Sequence, residues 1–241
     1  MTRAYHIELT VLRDYGKQLI LLGILVAALV SIGTRNLIIA PALMTCMFLV
    51  LAPMSTEAYD ESNNWARLRL TMPLSRRDIV AARYLVIVTV GLIGMAVGLA
   101  VAAILSIVAM IVDLPGGLSA ALTPDASMWI AAIPGIAVSL LLGTIIGSII
   151  TPVYFHFGQT KATQAMPAII IFIVFVPAML LGYSGLLDTG SAGMTMLTDF
   201  IAAITTPVGA CCTLAVAVIV AAATMALSAA VSLRLYERRE L

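Results

Sequence analysis

The side chains best able to do chemistry are concentrated in one stretch, residues 57–84, EAYDESNNWARLRLTMPLSRRDIVAARY. It holds the acids Glu57, Asp60, Glu61 and Asp78 and the arginines Arg67, Arg69, Arg76, Arg77 and Arg83. Carboxylates and guanidinium groups at this density can pair with one another, with anionic headgroups or with a docked protein. The partners that catalysis would need are missing. His6 and His156 are the sole histidines, and no GxSxG, HExxH or phosphate-cradling GxxxxGK[ST] motif occurs in the chain. No catalytic residue, no metal site and no nucleotide-hydrolysing site are therefore expected. Cys46, Cys211 and Cys212 all fall in apolar runs and read as small packing residues, not as a disulfide or metal framework.

The elements around this polar island are apolar. Hydrophobic residues make up 62% of the 241 positions and charged residues 10%, with a mean hydropathy of +1.10. Soluble domains carry about 25% charged residues, so the composition indicates an all-α integral membrane protein that crosses the bilayer several times. Runs of about 20 apolar residues predict six transmembrane helices, at about 17–34, 37–56, 84–112, 128–153, 165–183 and 207–233. Arg35 and Asn36 form a tight turn between the first two, and Trp129 reads as an interfacial anchor. Tyr154, Phe155 and Phe157 read as an aromatic belt, and MLTDFIAAITT, within 184–206, as a short re-entrant or interfacial helix. Residues 1–16 predict an amphipathic interfacial helix. Ile7, Val11, Leu12 and Tyr15 form its apolar stripe, His6, Glu8, Arg13 and Asp14 occupy the rest, and the chain turns at Gly16 into the transmembrane domain of residues 17–241. No small-residue cleavage site follows, so no cleavable leader is expected.

Charge placement orients the bundle. Twelve of the thirteen basic residues fall in the N-terminal segment, the island, the 155–164 turn and the C-terminal tail, and Arg35 alone lies on the other side. The positive-inside bias then places both termini and the island in the cytoplasm. No acid or base sits in the middle of a span, which argues against an ion-coupled relay. Gly91, Gly94, Gly98, Gly143 and Gly147 allow close helix approach, either within the bundle or across a dimer.

Within the island, local chemistry predicts two parts. A short helix over about 56–65 would present Glu57, Asp60 and Glu61 outward in its early turns, where acids suit the helix dipole, with Trp65 as an amphipathic plug. Pro73 ends any helix by residue 72. Ser75 is then the N-cap of a helix starting at Arg76, with Asp78 at the third position as a near capping box. That helix runs through Arg83 and Tyr84 into the third span as one rod.

The sequence DESNNW at 60–65, MPLSRRDIV at 72–80, Arg83-Tyr84, and PVYFHFG at 152–158 with Lys161 resembles the ABC-2 family of transporter permeases. The likeness is greatest to a bacterial branch that includes exporters of phenol-soluble modulins and antimicrobial peptides. Met72 stands where that branch more often has leucine, a volume-conserving exchange. The resemblance implies a permease subunit of the cell membrane that exports amphipathic peptide or lipid-like cargo. It implies a second permease, as homo- or heterodimer, and separate ABC ATPase subunits that hold the ATP and Mg, with no cofactor on this chain and no nucleic-acid partner. It also implies that residues 57–83 form a coupling segment, with Glu57, Asp60, Glu61, Trp65, Arg76 and Arg77 in contact with the ATPase. The same topology would also suit a non-transporting scaffold, immunity or sensor subunit.

Overall fold

The computed structural model describes residues 2–62, 75–112, 115–157, 172, 176–184 and 191–237. Among them there are helices and no strands. In chain order they are α1 (Thr2–Thr34), α2 (Ile39–Ser62), α3 (Arg76–Ile111), a 3-10 turn (Pro115–Gly117), α4 (Leu118–Leu122), α5 (Ala126–Phe157), α6 (Val176–Tyr183), α7 (Ala192–Ile204) and α8 (Pro207–Glu237). Among the described residues, five stretches are long and apolar enough to cross a membrane: Gly16–Thr34, Ile39–Thr56, Arg76–Ile111, Ala126–Phe155 and Pro207–Tyr236. They match five of the six expected spans. The remaining one, at 165–183, lies largely outside the described residues, and its last eight positions form α6.

Local chemistry explains several boundaries. Arg35 adopts a left-handed φ of 54°, and Asn36 Oδ1 accepts the Ile38 amide at 2.9 Å, closing the turn between α1 and α2. Ser75 caps α3: its Oγ accepts the Asp78 amide at 3.1 Å and donates to Asp78 Oδ2 at 2.7 Å. The helix then runs without a break through Arg83 and Tyr84 into the span, as expected.

Two expected breaks are absent. The turn at Gly16 does not occur: α1 continues straight through it, so residues 2–16 extend the first span instead of forming a separate interfacial helix. The inward stripe of this extension is Ala4, Glu8 and Leu12, all buried, at i, i+4, i+8. No new helix starts near Thr56 either. α2 continues to Ser62 despite Pro53 inside it, and the Thr56 hydroxyl donates to the Ala52 and Pro53 carbonyls at 3.2 and 2.9 Å. Proline within a membrane helix is tolerated where hydroxyls and neighbouring helices re-satisfy the freed backbone groups. The expected short helix within 184–206 is present as α7. It is capped by Ser191, whose Oγ accepts the Met194 amide, and Met196, Leu197, Phe200 and Ile201 are exposed on it. At 13 residues, about 20 Å long, it is too short to span.

α2 is the hub, packing against α1, α3 and α5, while α8 packs against α5 and α3. The glycines make this possible and settle their role as packing within the bundle. A Cβ on Gly98 would stand 2.6 Å from Pro41 Cα and 2.9 Å from the Ala40 carbonyl oxygen. One on Gly94 would meet the Phe48 side chain at 2.7 Å, and one on Gly143 would meet Leu49 Cβ at 2.9 Å. Two α3 glycines and one on α5 thus let α2 lie backbone-close between its neighbours. Tyr154 and Phe155, expected in an aromatic belt, are instead buried: Tyr154 packs with Ile146 and Ile150, and Phe155 with Ile79, Ile87 and Tyr236.

Ser148 meets Met225 and Ser228, and Phe155 meets Tyr236. α5 and α8 therefore run parallel, and the connection from Phe157 to Pro207 begins at one end of the bundle and finishes at the other.

Gly98→Ala should lower the stability of the purified protein by about 1–3 kcal/mol, because the new methyl meets immovable backbone. Gly33→Ala should change it little, since open space surrounds Gly33. Thermal unfolding in detergent, followed by circular dichroism, checks the contrast. Equal effects would show that the α2–α3 approach is not set by Gly98.

Candidate functional site

The island end of the bundle gathers the starts of α1 and α3 and the finishes of α2, α5 and α8. At its centre lies Arg83, 1% exposed and among the largest fully buried side chains described. Its Nη2 donates to Asp60 Oδ2 at 2.5 Å and to Glu8 Oε1 at 3.4 Å. The guanidinium also lies over the Phe155 ring, 5.7 Å from the centroid. One cation thus ties α1, α2, α3 and α5. Charge-assisted bonds and a ring face compensate the desolvation that an isolated buried charge would suffer.

A second polar tie lies one residue on. Ser228 Oγ donates to the Ser148 carbonyl at 2.5 Å, which uses its single hydrogen. The Tyr84 hydroxyl, 2.6 Å from Ser228 Oγ, must therefore donate to it and accept from Ser232 Oγ at 2.8 Å. The resulting chain, Ser232 to Tyr84 to Ser228 to Ser148, links α3, α8 and α5. On the α1 side, Thr89 Oγ1 donates to the Leu85 carbonyl, so the Tyr5 hydroxyl donates to Thr89 at 3.1 Å.

Outside this buried layer lies a cationic face. Arg76 and Arg77 are exposed on the first turn of α3. Arg76 Nη1 donates to the Tyr236 carbonyl at 3.1 Å, and its guanidinium lies 5.7 Å from the Tyr236 ring centroid. The finish of α8 is thereby fastened to the start of α3. Arg77 projects from the same turn.

The expected contact residues separate into two kinds. Arg76 and Arg77 are on the surface, as a docking role requires. Asp60 is not outward but 7% exposed and bonded to Arg83. The reason is that α2 has not ended: Asp60 sits in its last turns, where the helix dipole disfavours an acid, and Arg83 supplies the compensating charge. Glu57 and Glu61 belong to the same final turns, and Trp65 and Pro73 lie outside the described residues. Two partners in the cluster were not anticipated, Glu8 and Phe155. A usable signal does exist for Arg83. It stands four residues after Ile79 and three and four before Val86 and Ile87, so it shares their face, and all four are buried.

The sequence model of a family described as "ABC-2 family transporter protein" matches residues 8–237. No curated protein and no solved structure gives a match.

Asp60→Ala removes the shorter of the two carboxylate contacts described for the buried Arg83 and should cost about 3–5 kcal/mol of stability. Glu8→Ala should cost distinctly less. The double variant Asp60→Leu/Arg83→Met should be more stable than Arg83→Met alone, because it leaves one buried carboxylate, Glu8, without the guanidinium where the single change leaves two. Detergent melting temperatures of the set test this, and additive single and double effects would show that the pair is not coupled.

Proposed function

The chain belongs to the ABC-2 family of transporter proteins, and from that premise we propose that it is the permease of an exporter driven by separate ATPase subunits docked at the island end. Its multiple apolar helices make it a multi-pass membrane protein. Proteins of this family work with ABC ATPases, and the chain itself is a transport component. The proposal extends this to a dimer of permeases in a bacterial plasma membrane, with the island and both termini in the cytoplasm. The parallel course of α5 and α8 supports a return crossing between them, hence six spans and both termini on one side. The basic bias of that side supports the cytoplasmic assignment.

One observation carries the docking site. Five of the described helices converge at the island end, and the exposed Arg76 and Arg77 stand on the capped first turn of α3, which continues as one 36-residue helix through the bundle. A displacement imposed there reaches the membrane interior through a rigid element. Arg76, Arg77, Glu57, Glu61 and Trp65 would form the contact, and Asp60 would act as a positioning residue through Arg83. Cargo is suggested by an apolar cleft of about 300 Å³ between α2, α3, α5 and α8, with Thr45 and Thr144 among its walls. A lining of that character fits a peptide or lipid-like amphiphile better than a small ion.

Arg77→Glu reverses a surface charge that makes no hydrogen bond or ion pair among the described residues. It should lower permease-stimulated ATPase activity severalfold while leaving the melting temperature unchanged. The measurement is ATP hydrolysis by the cognate ATPase with permease in proteoliposomes, run beside export of a labelled amphipathic peptide. Undiminished stimulation by Arg77→Glu would remove this face from the contact. Stimulation without export of any cargo would favour a non-transporting subunit.

A further inference from the structure

A second cavity, of about 350 Å³, separates α1 from the α2–α3 pair. Leu12, Ile20, Phe48, Val90 and Ile93 wall it, and Thr10, Lys17 and Ser55 also line it. Thr10, Lys17 and Ile93 are exposed, so the slot opens at the protein surface. We propose that this slot binds one acyl chain of an anionic phospholipid, with the lipid phosphate held by Lys17.

Shape carries the first half. The α1 residues along the slot run from Leu9 to Ile20, about 17 Å at 1.5 Å per residue. Lys17, at the start of the apolar stretch Gly16–Thr34, stands partway along it, so the slot straddles the boundary between headgroups and hydrocarbon. The slot is open along the protein surface and lined mainly by apolar side chains, which suits an extended hydrocarbon chain.

Charge carries the second half. Lys17 begins the apolar part of α1, and no acid among the described residues pairs with it. Helical side chains lean toward the helix N-terminus, which directs this lysine to the Thr10 and Ser55 end, and snorkelling extends its reach. The two hydroxyls there already donate to their own helix, Thr10 to the His6 carbonyl at 2.7 Å and Ser55 to the Leu51 carbonyl at 2.9 Å. The lysine ammonium is therefore the group left to meet a phosphate, and selection rests on net charge. Basic pockets between membrane helices on the cytoplasmic side are a recognised setting for anionic headgroups. This inference is independent of transport and of the docked ATPase.

The test is native mass spectrometry of the full-length permease in detergent, offered phosphatidylglycerol and phosphatidylcholine of matched chains. Phosphatidylglycerol should be retained about fivefold more than phosphatidylcholine. Lys17→Gln should abolish that preference without changing the melting temperature in lipid-free detergent. Ser55→Leu, which narrows the slot, should lower retention of both lipids. Equal retention of the two lipids by the unaltered protein, or a preference that survives Lys17→Gln, would overturn the proposal. Displacement of bound phosphatidylglycerol by an amphipathic peptide would overturn it in favour of a cargo site.

Discussion

The Arg83 cluster is the constraint on which the island end depends. A guanidinium with 1% exposure is tolerable only if its charge is met at close range, and Asp60 and Glu8 meet it from two different helices. The dependence also runs the other way. An acid in the last turns of α2 faces the negative end of that helix's dipole, and a carboxylate on the inward stripe of α1 would be stranded among apolar neighbours. Each becomes acceptable because Arg83 lies between them. Three helices that could each pack elsewhere by apolar contact alone are thereby held in one register. Buried ionic groups contribute more to uniqueness of arrangement than to net stability, and a membrane bundle, where lipid competes with every apolar contact, has particular use for such a device.

Above this layer the bundle relies on proximity instead of charge. Gly94 and Gly98 on α3 and Gly143 on α5 bring α2 to backbone distance, so α2 cannot slide against either neighbour without a clash. The Tyr84 hydrogen-bond chain occupies the level between the two regimes. It joins α3 to α8 and α5 through directional bonds, each with a defined donor. The apolar cleft lined by Val88, Leu92 and Met95 on α3 and by Val218 and Ala222 on α8 lies beyond that tie. α3 and α8 are thus fastened at the island end and stand apart deeper in the bundle.

What could be read in advance follows from this division. Features set by neighbours in sequence were legible: the Ser75 cap with Asp78, the turn at Arg35 and Asn36, five of the six spans as apolar runs, and the short α7. Features set by neighbours in space were not. Residues 56–65 looked like a new helix because acids suit a helix start, yet α2 continues to Ser62, since Pro53 is accommodated and Arg83 compensates Asp60. Gly16 looked like a turn, yet nothing surrounds it that requires one. Tyr154 and Phe155 looked interfacial because a helix that is apolar all round carries no period to say which side faces inward. The glycines announced close approach but not whether the partner lay in the same chain.

The same geometry limits how the island end can move. α3 is capped at Ser75, joined to α8 through Arg76 and Tyr236, and joined to α1 and α2 through Arg83. A push on its first turn therefore cannot bend that turn alone. It must carry α1 and α2 with α3, because the ion cluster and the Gly94 and Gly98 contacts resist separation. The weaker seam lies between this trio and α8, where, among the described residues, neutral hydroxyl bonds at Tyr84 and the Arg76 contact to Tyr236 join the helices and an apolar cleft already exists. Exchanging neutral hydrogen bonds costs about 1 kcal/mol each, against about 3–5 for stranding a buried charge. Any opening of the bundle is thus cheaper along the α3–α8 seam than within the α1–α2–α3 unit, and Tyr84 is the point at which it would begin.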